Sequence, residues 1–206
     1  MRVFAGFAAA LLCSTAGSSF GGPPSQATSL QIPGYALPQP LPLESFRLFD
    51  QQGDEFTLDD LRSRWTLLFF GYTHCPDVCP ATLAQLRSVT KLMARQPGAV
   101  SPAVVLVSID PQRDSADRLK EYSAQLGSDF TGVGGEPAAI RSFAAQFQAK
   151  YSSAGGTGRS YLIDHTSSVA LINPNAELQV LFSVPLRPEA VAAELQRLTK
   201  TSPNGR

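Results

Sequence analysis

The chain has 206 residues, enough to bury one sizeable hydrophobic core, and 9% of them are aromatic, which argues for a folded domain over a disordered one. Its 17 basic residues balance 17 acidic ones, so the formal net charge is zero. That balance excludes a non-specific nucleic-acid binder, which needs a strong positive surplus.

The first segment reads as a targeting signal. Arg2 supplies a minimal positive region, Val3 through Cys13 an uncharged apolar stretch, and Ser14-Thr15-Ala16 the small residues that a signal peptidase needs. The apolar stretch falls short of the roughly 17 to 25 residues of a bilayer-spanning helix. Residues 1–20 are therefore expected to be an export signal that is removed, or a weak membrane anchor that is retained. A buried helix of the fold and lipidation at Cys13 are the alternatives, although bulky Leu11-Leu12 stand where small residues precede a lipidated cysteine. Removal would take away Arg2, the only charge in the segment, and leave Cys75 and Cys79 as the only cysteines. In an oxidising compartment such a pair can close and reopen.

Residues 21–42 are rich in Pro and Gly, including Gly21-Gly22-Pro23-Pro24 and Pro38-Gln39-Pro40-Leu41-Pro42, and predict an extended tether, free or laid over the domain surface. Residues 43–200 then alternate between strands and helices, and 201–206 form a tail. A short strand is expected at Phe46–Phe49, and Asp54–Asp60 leads into a turn near Leu61. Trp65–Gly71 is a near-continuous apolar run, as a strand covered on both faces requires. A helix follows over Asp77–Met93, with Val78, Leu83, Leu86, Val89 and Leu92 or Met93 as its buried stripe. Ala103–Ile109 is a second central strand, and Ser115–Leu126 a helix with a serine cap that ends at Gly127. Phe130–Val133 adds a short strand before a helix at Pro137–Gln148. Ser152–Gly158 reads as a flexible Ser- and Gly-rich loop. Strands at Tyr161–Ile163, Val169–Ile172 and Leu178–Phe182 follow, the last two joined at Asn173-Pro174-Asn175, and a helix at Glu189–Leu198 closes the chain. The fold class is α/β: a βαβ unit, a hairpin and a terminal helix, a thioredoxin-like arrangement with a central mixed sheet flanked by helices.

Cys75-Pro76-Asp77-Val78-Cys79-Pro80 falls where the first central strand gives way to a helix. Unpaired N–H groups and the positive end of the helix dipole favour thiolates there. Cysteines at i and i+4 share a helix face at roughly 5 to 6 Å between Cβ atoms, close enough to adjust into a disulfide or to converge on one metal ion. Three readings stay open on spacing alone: a structural disulfide, a redox-exchange pair and a metal site. So short a loop gains little unfolded-state entropy from closure, which weighs against the first.

The only histidines are His74 and His165, and there is no second cysteine pair. Structural zinc asks for four ligands, whereas Cu(I) accepts low coordination and prefers thiolates, so the donor count favours copper over zinc. His165, in Asp164-His165-Thr166-Ser167, is a turn histidine able to reach a neighbouring element; an ordinary surface or Asp-paired histidine is the competing reading. Asp164 is expected to hold its second ring nitrogen or to shape the turn. His74 lies one residue from Cys75 on a strand end and is expected to face away from the site. Asp77 is expected to cap the helix or support the ligands from behind, with plain solvent exposure as the alternative.

Gly71-Tyr72-Thr73-His74-Cys75-Pro76-Asp77-Val78-Cys79-Pro80 resembles the signature of the SCO/SenC family, thioredoxin-fold copper proteins that help assemble the dinuclear copper centre of cytochrome c oxidase. Ser108-Ile109-Asp110-Pro111-Gln112-Arg113-Asp114 resembles the family's second motif, and Tyr161-Leu162-Ile163-Asp164-His165-Thr166-Ser167 its third. The resemblance spans roughly residues 43–200. It implies that Cys75, Cys79 and His165 bind one copper ion, Cu(I) or Cu(II), and that the protein is a metallochaperone for the oxidase. Reduction of the oxidase cysteines through a redox-active Cys75–Cys79 pair is the alternative role. The implied partners are the copper-bearing oxidase subunit and a periplasmic copper donor chaperone. The implied location is exported, periplasmic or on the outer face of the cytoplasmic membrane, with or without a membrane tether. Two features depart from the family pattern: the N-terminal apolar segment is weaker than the usual anchor, and Ala176 stands where relatives usually carry glycine. The absence of a C-x-x-C pair argues against a general thioredoxin-type reductase.

Overall fold

Trp65–Gly71 and Ala103–Ile109 lack the alternation of a half-exposed strand, and both lie at the centre of the molecule. A computed structural model describes residues 34–157 and 160–201; the expected export segment at 1–20, the first part of the expected tether, Gly158 and most of the tail lie outside the described residues. In chain order the elements are β1 (Gly34–Pro42), β2 (Leu48–Asp50), β3 (Glu55–Phe56), α1 (Leu58–Leu61), β4 (Thr66–Gly71), α2 (Val78–Ala94), β5 (Ala103–Ser108) and α3 (Ala116–Ala124). There follow β6 (Phe130–Gly134), α4 (Pro137–Ala145), β7 (Tyr151–Thr157), β8 (Ser160–His165), β9 (Ser168–Ile172), β10 (Glu177–Ser183) and α5 (Pro188–Thr201).

Eight strands form one mixed sheet in the order β1-β10-β9-β4-β5-β6-β2-β3. The β4, β5 and β6 strands run parallel, with Thr66 to Gly71 facing Ala103 to Ser108 in unbroken register. Every residue of β4 is buried, as a strand covered on both faces must be. Period-two alternation sends neighbouring phenylalanines to opposite faces. Phe70 packs on Phe143 and Phe147 beside α4, while Phe69 faces the His165 ring on the other side. The α2 helix buries Leu83, Leu86, Val89 and Met93 and packs against α5. The thioredoxin-like arrangement expected from the sequence is the one observed, and Ser115 caps α3 by accepting the Arg118 N–H.

Three local expectations are corrected. Residues 34–42, read as tether, are extended along the domain as expected of one that lies over it, but they pair there as the edge strand β1, antiparallel to β10. Backbone pairing needs no apolar pattern, and prolines are tolerated at an edge because their missing donors are not needed by a further neighbour. Ser152–Thr157, read as a flexible loop, belongs to β7, which pairs antiparallel with β8 from Tyr151↔His165 to Thr157↔Ser160. Val78, assigned to the buried stripe of α2, is 39% exposed. The inward position at this end of the helix is taken by Cys79.

The Ala176 departure has a conformational meaning. Ala176 sits at φ 61° in the β9–β10 turn, the left-handed region where a side chain is disfavoured and glycine is not. Among the described residues no helix is long and apolar enough to cross a membrane.

Thr66 is fully buried at the start of β4, and its hydroxyl has no hydrogen-bond partner among the described residues. Leaving a buried hydroxyl unpaired costs about 1 to 3 kcal/mol. Thr66→Val is therefore expected to raise the unfolding free energy by about 1 kcal/mol, read as a higher urea midpoint at unchanged slope. A lower midpoint would mean that the hydroxyl does useful bonding.

Candidate metal centre

The centre is built where β4 ends. At Gly71 an added Cβ would lie 2.8 Å from the Phe69 ring and 3.0 Å from Cys79 Sγ. The missing side chain is the space that the sulfur fills. The chain then turns, with the Cys75 N–H donating to the Tyr72 carbonyl at 3.2 Å, and α2 begins at Val78. Asp77 occupies the cap position but makes no side-chain capping bond, and it is exposed. Cys75 does that work instead: the Cys79 N–H donates to Cys75 Sγ at 3.4 Å. One of the unpaired donors that open every helix thus points at a sulfur.

The two thiols are unbonded and unequal. Cys75 is partly exposed, whereas Cys79 is fully buried. Burial pushes the Cys79 thiol well above the ordinary thiol range, and the neighbouring Cys75 adds to the shift against a lowering hydrogen bond from the Tyr72 backbone. The expectation that the helix start favours thiolate at both positions is therefore corrected for Cys79, where desolvation wins.

His165 ends β8 and turns inward, its ring edge-on to Phe69 at 6.0 Å and to Tyr72 at 6.3 Å. Its Nε2 approaches Cys79 Sγ at 3.9 Å. Its Nδ1 lies 3.2 Å from the Thr166 carbonyl. A carbonyl only accepts, so Nδ1 carries the proton and the Nε2 lone pair faces the sulfur. The partner of the second ring nitrogen is thus Thr166, not Asp164 as expected. Asp164 is exposed and acts on the ring only through its charge. Burial lowers the His165 pKa, opposed by the Thr166 bond and by Asp164.

These positions suit one soft ion. Bonds of about 2.3 Å to sulfur and about 2.0 Å to nitrogen, spread about 120° apart, hold the two donors roughly 3.7 Å from each other. The separation of Cys79 Sγ and His165 Nε2 needs little adjustment to match. Cys75 supplies a second sulfur from the same helix start.

His74 is exposed and turns to another group of residues, its Nδ1 lying 3.1 Å from Thr73 Oγ1 and 3.4 Å from Asp114. Potential ligand atoms of His74, Asp110 and Asp114 lie within 4.8 Å of one another. The carboxylates are already engaged. Asp114 accepts from the Thr73 N–H and hydroxyl and from the Ser108 hydroxyl, and Asp110 pairs with Arg113 and accepts from Tyr161. This is a network that ties the end of β5 to the turn before Cys75. Asp110, Arg113, Asp114, Gly71 and Tyr72 lie within the sequence motifs, but their roles rest on tertiary contacts that spacing does not reveal.

A family model described as SCO1/SenC matches residues 38–200. An SCO2-like protein of Rickettsia felis is 30% identical over 148 residues, covering 71% of this chain and 71% of its own. The solution structure of apo Sco1 from Thermus thermophilus is 33% identical with a TM-score of 0.72, over 81% of this chain and 96% of that one. The Bradyrhizobium japonicum ScoI structure, which has copper bound, is 31% identical with a TM-score of 0.66, over 75% of this chain and 97% of that one.

Unequal burial sets an order of reactivity. Iodoacetamide at neutral pH is expected to alkylate Cys75 at least about tenfold faster than Cys79 in the reduced protein, because the thiolate is the nucleophile. Peptide mass mapping over a time course reads the two rates. Equal rates would mean that Cys79 is far more open than the fold implies.

Proposed function

The chain belongs to the SCO1/SenC family, and on that premise we propose that it is a copper metallochaperone which binds one ion, as Cu(I) or Cu(II), through Cys75, Cys79 and His165. Its acceptor on this reading is the dinuclear copper site of cytochrome c oxidase, and it works outside the cytoplasm, loaded by a periplasmic donor chaperone. The observation that carries the proposal is the 3.9 Å approach of His165 Nε2 to Cys79 Sγ, with Nδ1 already committed to Thr166. An imidazole held in that tautomer beside a buried thiol is prepared to ligate through Nε2.

Two sulfurs and one nitrogen suit a cargo that changes oxidation state. Cu(I) is content with two thiolates, and imidazole adds what Cu(II) prefers. Copper passes on by ligand exchange, as acceptor thiolates replace Cys75 and Cys79. The partly exposed Cys75 is the sulfur that an incoming ligand reaches first.

A second reading is supported by the contact of the Cys79 N–H with Cys75 Sγ, which holds the Cys75 sulfur against the helix turn that carries Cys79. In that reading the dithiol attacks an acceptor disulfide, a Cys75–Cys79 disulfide forms, and two electrons and two protons reduce the acceptor cysteines. Copper carriage is preferred because simple dithiol exchange gives His165 nothing to do.

His165→Ala is expected to leave Cu(I) binding nearly intact and to weaken Cu(II) by more than the roughly 10- to 100-fold that loss of an outer partner costs. His74→Ala should change neither. Competition titrations in both oxidation states decide, and X-ray absorption without sulfur in the copper shell would sink the ligand assignment. The decisive contrast between roles is His165→Ala reducing an oxidised acceptor at the wild-type rate while copper-loaded wild type passes no copper to the reduced acceptor, which would make thiol reduction primary.

Proton competition gives an independent check. Since burial holds Cys79 protonated across the neutral range, its ligation releases a proton, and copper affinity should climb at least about tenfold per pH unit from about pH 6 to pH 8. His165, lowered from its ordinary 6.5, is already neutral at pH 7 and adds to this slope only under acid conditions. A flat profile would mean that Cys79 does not bind as thiolate.

A further inference from the structure

We propose that Arg113 is a positioning residue for His165, a clamp that fixes the β7–β8 hairpin to the loop after β5. The proposal rests on the reading of His165 as a copper ligand. Among the described residues the hairpin forms a two-stranded sheet of its own, with no ladder to the eight-stranded one. The histidine at its end pairs with Tyr151 in the hairpin and is linked to β9 by Thr166 and Ser167, so the angle of the hairpin to the main sheet is left to side chains.

Arg113 supplies the main grip. Its side chain is 7% exposed and its Nε pairs with Asp110, which is 2% exposed. Its Nη1 donates to the Tyr161 carbonyl at 2.9 Å, and its guanidinium lies 3.6 Å above the Tyr161 ring. The Tyr161 hydroxyl donates to the other oxygen of Asp110. Asp110 is itself anchored, its N–H donating to the Ser108 hydroxyl at the end of β5 at 3.1 Å. The connection runs from the central sheet through Asp110 and Arg113 to β8, four residues before His165. On the far side the Tyr72 hydroxyl accepts the Ile163 N–H at 3.2 Å, and Arg113 lies 5.6 Å from the Tyr72 ring.

The chemistry calls for arginine. One planar fork pairs with a carboxylate, donates to a carbonyl and stacks on a ring at once, and lysine cannot reproduce that geometry. A buried ion pair is a poor choice for stability alone, since apolar residues of similar volume do as well or better. Its value here is precise placement, and precise placement is what a ligand on a separate hairpin requires.

The test uses the full chain, reduced, with Arg113→Met and Arg113→Lys made alone and combined with His165→Ala. Copper is the probe, titrated against competing chelators in each oxidation state. Arg113→Met is expected to weaken Cu(II) by about tenfold and to leave Cu(I) within about twofold, and lysine should not restore the loss. In the His165→Ala background the same substitution should change Cu(II) affinity by less than about twofold, because its effect runs through the histidine. In the metal-free protein, amide exchange at Ile163 and His165 should quicken while Val105 in β5 stays protected.

Equal Cu(II) losses in both backgrounds would show general structural support and overturn the clamp. Unchanged Cu(II) affinity in Arg113→Met, with His165→Ala still weak, also overturns it. Unchanged Cu(II) affinity in His165→Ala overturns the ligand reading beneath it. Should Arg113→Met fail to fold, Arg113→Lys, which keeps the charge but loses the planar fork that reaches Asp110 and the Tyr161 carbonyl, decides the matter. A Cu(II) loss that disappears in the His165→Ala background supports the clamp, and no loss refutes it.

Discussion

The approach of His165 Nε2 to Cys79 Sγ joins residues 86 positions apart in the chain, and the rest of the site is arranged around it. The sulfur comes from the first turn of α2, seated in the gap left by Gly71 on the fully buried β4. The nitrogen comes from a hairpin outside the main sheet. One donor therefore inherits the rigidity of the core, while the other is held by its hairpin, by the short link to β9 and by buried polar and ring contacts. That asymmetry suits a carrier. A ligand set drawn wholly from the core would hold its ion too fixedly to hand it on, and one drawn wholly from hairpins would not assemble with fixed geometry.

The same asymmetry is written into the thiols. Cys75 takes the helix cap position electrostatically, accepting an N–H that an Asx or Ser side chain takes in other helices, and it remains partly open to solvent. Cys79 is fully buried, and burial favours its neutral form. Desolvation of an anion is costly unless a cation or a donor compensates. A soft cation bound there would do so, which couples filling of the site to deprotonation of its innermost sulfur. Asp77, set between the two cysteines, is exposed and bonds to neither the helix nor the sulfurs by its side chain.

Much of this was legible in the residues. Trp65–Gly71 and Ala103–Ile109 declared themselves as central strands because burial on both faces leaves only apolar side chains, and the cysteine pair fell at the strand-to-helix junction for the same reason. What escaped was held by the backbone or by tertiary contact. The β1 strand is rich in proline, and β7 in serine and glycine, so neither carries a side-chain pattern, yet both pair through peptide groups. Val78 departs from the expected inward face because periodicity fixes the phase of a helix poorly at its first residue, where the backbone is still turning. The partner of His165 Nδ1 is a carbonyl, Thr166, and carbonyls are present at every residue, so no sequence signal could have preferred it to Asp164. Arg113 stood in plain view within its motif, but its contacts reach Tyr161 across 48 positions.

The two candidate roles make opposite demands on these atoms. Dithiol exchange needs the sulfurs to meet each other and needs one of them exposed, conditions that Cys75 and the short loop already satisfy without a histidine. Copper carriage needs a third donor aimed at the inner sulfur and prevented from turning away. The imidazole is confined edge-on between Phe69 and Tyr72, with its tautomer set by Thr166. Confining a ring costs rotamer freedom, and burying it away from its charged form costs more. Such costs are met where they secure a bond that forms only with the ligand present. The arrangement of His165 is therefore the part of the fold that exchange chemistry leaves unexplained and metal carriage requires.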